Sequence, residues 1–263
     1  MQVKFKLLGT GSGMGAPSFF CKCDSCKAAF ENKAYGRTRN GAIVQVENRN
    51  NILIDLSPDL GQQLVREQVE RVDAVFLTHW HYANFAGIGE LGPYVNFSGR
   101  GKIPLFLPAS AIEAFKIAFS DFESSFKLIA WQFDQEYAFP SVTIKPILAN
   151  HGIETAGFLI ETKSKKLAYF PSTAGLSEHS RRKVVGVDWL VCDATFGKEN
   201  PMPQEHMRIS ETIELGRIVR AQNTVLTHLS SHYIGLENYL KLEDKFWQDD
   251  DIIIAADGMT FPL

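Results

Sequence analysis

Thr78-His79-Trp80-His81-Tyr82-Ala83-Asn84-Phe85-Ala86-Gly87 is the stretch on which the reading of this chain turns. It follows the apolar run Asp73 to Leu77, which reads as a strand, so its histidines sit where a fixed backbone opens to solvent. His79 and His81 alternate around Trp80, and in an extended or tightly turned segment their side chains can converge on one ion. His151 follows a second apolar strand, Val142 to Leu148, and His228 ends a third, Asn223 to Thr227. Neutral imidazoles are good zinc ligands, and three of them with a water make an open catalytic site. Hydrogen-bonded surface or core histidines are the alternative for so short a spacing.

Working outward, the 263 residues carry 27 Lys plus Arg against 30 Asp plus Glu, a formal charge of -3, with 45% hydrophobic and 22% charged residues. These are globular proportions with length for a large core. The mild acidity argues against a generally basic nucleic-acid binder, so nucleic acid is an unlikely partner. No apolar segment of signal-peptide or membrane-span length is visible, and the expected location is the cytoplasm, away from membranes. Cys21, Cys23 and Cys26 fall within six residues, a spacing that suits a metal in a reducing compartment rather than a disulfide scaffold.

Strands are expected at Val3–Leu8, Ala42–Val46, Asn51–Asp55, Pro104–Leu107, Phe126–Trp131, Phe158–Glu161, Lys166–Phe170, Asp188–Asp193 and Asp251–Ala255. Helical spacing appears in Lys22–Lys33, Pro58–Val69 with Leu60, Leu64 and Val65 inward, Ala109–Ser120, Ser210–Val219 and Leu236–Phe246. Two series of strands with intervening helices predict an α/β sandwich: two mixed sheets packed face to face with helices outside.

The motif around His79 resembles the Thr-His-x-His-x-Asp-His-x-x-Gly signature of the metallo-β-lactamase superfamily. Ile54-Asp55, Asn150-His151, Ser172-Thr173-Ala174-Gly175-Leu176 and Leu226-Thr227-His228 follow in that superfamily's order. The resemblance spans essentially the whole chain and implies the αββα metallo-β-lactamase fold, as one domain over residues 1–263 with a cysteine-rich zinc loop at about 17–35. The glycine turn Gly9-Thr10-Gly11-Ser12-Gly13, the cysteine segment, Ser57-Pro58-Asp59 and Asp257-Gly258-Met259 resemble the branch holding PhnP-like cyclic phosphodiesterases and PqqB-like proteins.

The departures bear on function. Ala83 stands where the family has an aspartate ligand of a second metal, Asn84 where it has a histidine ligand, and Ser172 where it has the bridging aspartate. A methyl group cannot ligate, and amides and hydroxyls are weaker ligands than carboxylates. The expected centre is therefore mononuclear, with His79, His81 and His151, joined or not by His228, or else it holds no metal. Zinc, manganese and iron are the candidate ions. Asp59 and Asp193 are the nearest candidates for a substitute carboxylate, Asp193 serving otherwise as a buried acceptor that fixes a loop.

Three functions stay open. A hydrolase of a small, anionic substrate such as a phosphodiester would use the histidine-held ion, with His206 as proton donor by resemblance to the phosphodiesterase. A PqqB-like oxidative enzyme of cofactor or small-molecule biosynthesis would use Fe(II). A non-catalytic relative would keep the cleft for ligand binding. The resemblance also implies a homodimer and a structural zinc on Cys21, Cys23, Cys26 and a later histidine. His232 is the candidate, one residue beyond the family's spacing. Cys192 reads as buried packing. The glycine turn lacks the ending of a phosphate loop and reads as a tight bend bringing the cysteine loop to the site's edge. Trp80 and Tyr82 flank the candidate ligands, so either is placed to shape access.

Overall fold

The computed structural model describes residues 2–47, 49–99, 101–235, 241 and 251–263. Six strands come first: β1 (Val3–Gly9), β2 (Gly41–Val46), β3 (Asn50–Ile54), β4 (Ala74–Phe76), β5 (Ile103–Leu107) and β6 (Phe126–Ala130). Seven follow: β7 (Tyr137–Phe139), β8 (Val142–Leu148), β9 (Ala156–Glu161), β10 (Lys166–Phe170), β11 (Trp189–Asp193), β12 (Asn223–Thr227) and β13 (Ile252–Ile254). The last strand, β14 (Thr260–Pro262), crosses back to pair with β1. The sheets have the orders β14-β1-β2-β3-β4-β5-β6 and β13-β12-β11-β10-β9-β8-β7. Each is mixed: β3 to β6 and β10 to β13 run parallel, the rest antiparallel.

Alternation decides which side chains meet between the sheets. Val3, Phe5 and Leu7 of β1, and Ala42, Val44 and Val46 of β2, face the same buried cluster as Phe158, Tyr169, Val191 and Val225 from the second sheet. Phe76 stacks on Phe106 at 4.2 Å between centroids and meets Phe158 of the other sheet edge-on at 5.5 Å. The opposite pleat faces helices. Ile43, Leu53, Val75 and Leu105 pack under α2 (Leu60–Arg66), α4 (Ile88–Ser98) and α5 (Ile112–Ala118). Leu159, Ala168, Leu190 and Cys192 pack under α6 (Glu178–Lys183) and α7 (Ile209–Ile218). Short helices α1 (Asp24–Glu31) and α8 (Ser231–Ile234) carry Cys26 and His232, and α3 (Tyr82–Phe85) follows directly on His81. Helix, sheet, sheet, helix is the expected layering, and Cys192 is fully buried within it.

Several local expectations are corrected. The helix predicted over 58–69 spans only Leu60–Arg66, and it buries Leu60 and Gln63, while Val65 is 79% exposed. Gln63 goes inward because its amide donates to Thr38 Oγ1 and Arg39 O and accepts from Ser57 Oγ. The helix predicted over 109–120 breaks into a 3-10 turn, α5 and a second 3-10 turn. Helix α4 had no helical signature, since Gly89, Gly92 and Pro93 lie inside it. Gly92 is required there: a Cβ would stand 2.6 Å from the Phe122 ring. The helix predicted over 236–246 lies outside the described residues apart from 241. No helix among the described residues is long and apolar enough to cross a membrane.

Phe76→Ala removes a side chain shared by both sheets and should lower the unfolding free energy by about 3–5 kcal/mol in urea titration. Val65→Ala should change it by less than about 0.5 kcal/mol.

Candidate metal centre

The histidines arrive at the C-terminal ends of strands from both sheets. His79 and His81 follow β4, His151 follows β8, and His228 follows β12. His79, His81 and His151 bring one ring nitrogen each to within 4.8 Å of one another. His79 Nε2 and His81 Nδ1 are 3.0 Å apart. Two nitrogens sharing a tetrahedral zinc would lie about 3.3 Å apart.

The tautomers follow from the outer contacts. The Thr78 hydroxyl donates to Asp55, so it accepts the Nδ1–H of His79 at 2.8 Å and leaves the Nε2 lone pair facing His81. His151 Nδ1–H donates to the Glu205 carbonyl at 2.8 Å, and its Nε2 is buried with no hydrogen-bond partner. An orphaned buried imidazole nitrogen aimed at two others fits a metal ion as its missing partner. Burial pulls the pKa of His79 well below its ordinary value, with the other histidines adding to it, and lowers His81 and His151 too. All three are thus neutral donors at physiological pH.

Asp193, His206 and His228 form a neighbouring group. His206 bridges the two groups, its ring centroid 5.6 Å from His151 and 4.9 Å from His228. His228 therefore does not converge with the trio on one point. Its Nδ1–H donates to Thr195 Oγ1 at 2.8 Å, and Thr195 donates in turn to Asp193 at 2.7 Å. Burial pushes the pKa of His228 down to about 3. His206 behaves oppositely. Burial disfavours its charge, but the 2.7 Å hydrogen bond and the charge of Asp193 win, and its pKa is raised. Asp193 is fully buried, which raises a carboxyl, yet His206 and the Thr173 amide hold it below the usual range. Its oxygens are taken by Thr173 N, Thr195 N, Thr195 Oγ1 and His206 Nδ1, so it orients its neighbours and offers little to an ion.

The structure does not bring Asp59 to either group. Asp59 caps α2 and is held by Arg39, accepting from its backbone N at 2.7 Å and its guanidinium at 3.0 Å. Ala83 is the second residue of α3, and Asn84 is buried with its amide donating to Asp55 at 3.0 Å. Trp80 is partly buried and stacks on Phe85 at 4.1 Å against the outer core, whereas Tyr82 is 69% exposed. Glu205 has no sequence pattern that marks it; only the fold puts it beside His151.

Cys21, Cys23, Cys26 and His232 make a third group within the same limit. His232 Nε2–H donates to Gly15 O at 2.7 Å, which turns Nδ1 towards Cys23 Sγ at 3.6 Å and Cys26 Sγ at 3.5 Å. A sulfur and a nitrogen on one tetrahedral zinc would lie about 3.5 Å apart. The extra residue before His232 is absorbed because α8 starts at Ser231, whose carbonyl accepts from Ser25 Oγ of α1. Contacts to Cys23 bring the Cys21 thiol down to about 7, while burial pushes Cys26 up to about 11. The glycine turn lies between the groups, with Ser12 N donating to Leu229 O and Leu229 N to Thr10 O. Gly9 is needed there, for a Cβ would fall 2.0 Å from Arg39 O.

A family model described as a beta-lactamase superfamily domain matches residues 50–229, and the chain belongs to that family. Its relatives lie in the branch indicated by the cysteine and aspartate motifs. A diphosphatase from the PhnP family superposes with a TM-score of 0.85 at 23% identity, covering 100% of this chain and 98% of that one. Coenzyme PQQ synthesis protein B from Methylobacterium radiotolerans is 25% identical over 267 residues, 90% of this chain and 88% of its own length. Zinc-bound PqqB from Methylobacterium extorquens superposes with a TM-score of 0.79 at 19% identity, covering 99% and 100%. An octanoyltransferase of Porphyromonas gingivalis is 23% identical over 236 residues, 86% of this chain. The match covers 46% of that protein, so the chain spans about half its length.

Cys23→Ser should remove one zinc per chain in elemental analysis and lower Tm, because it unties α1 from α8. His81→Ala should leave that zinc in place and remove only the ion of the histidine cleft.

Proposed function

We propose that this protein is a metal-dependent hydrolase of a small phosphodiester, with one ion held by His79, His81 and His151 and a structural zinc held by Cys21, Cys23, Cys26 and His232. The observation that carries the reading is the convergence of three neutral ring nitrogens, one of them buried and unpartnered. An ion bound there supplies a Lewis acid that polarises the scissile bond's oxygen. His206 holds the transferable proton on Nε2, since Nδ1 is committed to Asp193. Asp193 fixes the ring and keeps it protonated to higher pH than a free imidazole, which suits a donor to a leaving oxygen. His228, neutral and locked by Thr195, stacks on that ring and sets its plane. The PhnP-family diphosphatase, similar over its whole length, supports a phosphorus–oxygen bond as the one cleaved, and the phosphodiester is the form proposed here. The expected setting is the cytoplasm, as a homodimer acting on a free small molecule.

The similarity to PQQ synthesis protein B supports a second reading, oxidative chemistry at Fe(II) on the same three histidines. Metal analysis with hydrolysis assays separates the two. The purified protein is assayed on bis(p-nitrophenyl) phosphate and, given the octanoyltransferase match, on p-nitrophenyl octanoate. Phosphodiesterase activity lost with His81→Ala supports the proposal. Iron in the cleft with no hydrolysis of either ester favours the oxidative reading. An empty cleft without turnover favours a ligand-binding role.

The pH profile tests the proton donor. Asp193 raises the His206 pKa, so activity should fall on the alkaline side with an apparent pKa above the ordinary 6.5. Asp193→Asn removes the charge that favours imidazolium and should move that limb to lower pH. His206→Asn should abolish the limb and cost about 10²–10⁴-fold in kcat.

A further inference from the structure

Most carboxylates near the histidines are already committed. Asp193 is taken by three amides, a hydroxyl and His206. Asp55 accepts from Thr78 N at 2.8 Å, from the Thr78 hydroxyl and from Asn84 Nδ2. Asp59 belongs to Arg39.

Glu205 differs. Its backbone carbonyl already holds His151 by the Nδ1–H. Its side chain lies along the loop that carries His151: a Cβ built on Gly152 would stand 3.3 Å from Oε1 and 3.6 Å from Cγ. Among the described residues, no hydrogen bond or ion pair to this carboxylate is formed, although the residue is half-buried. Its negative charge lies close enough to interact with the His81, His151 and His206 rings. Three neutral imidazoles would leave the whole charge of a divalent ion uncompensated in a partly desolvated cleft, an expensive arrangement. A glutamate has enough rotatable bonds to bring an oxygen onto such an ion from a neighbouring backbone position.

We propose that Glu205 is the carboxylate of the metal centre, turning from Gly152 to complete a donor set of three histidines and one glutamate for a divalent cation. The assignment rests on the histidine trio of the proposed function and adds its anionic member. The Glu205 carboxylate lies outside the tight group formed by the three imidazoles, so metal binding involves a rotation of this side chain. An oxygen donor added to three nitrogens suits Mn(II), Fe(II) and Zn(II). It also gives the loop a double function, with the carbonyl of one residue fixing His151 and its side chain closing on the same ion.

The test is Mn(II) affinity of the full-length protein, followed by the electron paramagnetic resonance signal of free Mn(II). Manganese avoids the thiolate-rich cysteine group. Glu205→Gln keeps the backbone carbonyl and side-chain length, and should weaken Mn(II) binding by about 10–100-fold. Glu205→Asp should fall between the two, and the surface control Glu154→Gln should bind like the unsubstituted protein. Circular dichroism melts of every variant report whether the fold is kept. Glu205→Gln binding within twofold of the unsubstituted protein, while His81→Ala abolishes binding, overturns the assignment and leaves the histidine trio standing. An equal loss in Glu154→Gln also overturns it, since the effect would then be one of general charge. Failure of the unsubstituted protein to bind Mn(II), together with no histidine-dependent zinc, overturns the trio itself and the assignment with it.

Discussion

The site depends on two buried carboxylates, each passing its hold to a histidine through a threonine. Asp55, just past β3, binds the hydroxyl of Thr78, which receives the Nδ1–H of His79. Asp193, at the end of β11, binds the hydroxyl of Thr195, which receives the Nδ1–H of His228. One relay lies at the strand ends of each sheet. Each leaves an Nε2 lone pair facing the cleft, so ligand geometry is set from behind before any ion arrives. Two members of the relays also occupy left-handed backbone, Asp55 at φ 61° and His228 at φ 57°. Such conformations cost about 1–3 kcal/mol each and persist where surrounding bonds over-determine them. Asp55 meets that condition with two donors on Thr78 and one on Asn84, and His228 with its bond to Thr195.

The relays differ in charge, and that difference divides the work of the site. Among the described residues no cation faces Asp55, and burial pushes its carboxyl up to about 7 despite its hydrogen bonds. Asp193 is as deeply buried but faces His206, and each favours the other's ionised form. On the proposed function, proton chemistry therefore belongs to the second sheet, while the donors His79 and His81 belong to the first and His151 to a loop between β8 and β9. The sheet interface brings these together, which is why aromatic contacts such as Phe76 on Phe158 matter to a site they do not touch.

Much of this was legible in the sequence because apolar strands end in chemistry-bearing residues. β8 and β12 were read with their full extent, and Thr78-His79-Trp80-His81 announced the cleft. What stayed hidden depends on tertiary partners. Val65 and Gln63 exchanged places because Gln63 finds three partners inside, which no periodicity records. Asp59 was separated from the histidines by Arg39, a contact across 20 residues. Glu205 follows no motif, and only the folded loop sets it beside Gly152. His232, apparently out of register, meets the thiols because α8 starts at Ser231 and presents it to α1.

The residues that replace a second metal site look integrated rather than damaged. Asn84 is buried, and its amide is one of the donors that satisfy Asp55. A histidine turned into the cleft to hold an ion would withdraw that donor and leave a buried carboxylate short of a partner. Restoring one ligand alone therefore works against the relay that positions His79. Of the Ala83, Asn84 and Ser172 positions, Asn84 is the one tied to the relay, through Asp55. That coupling gives a physical reason why the proposed centre on His79, His81 and His151 goes with Asn84, and not a histidine, at that position.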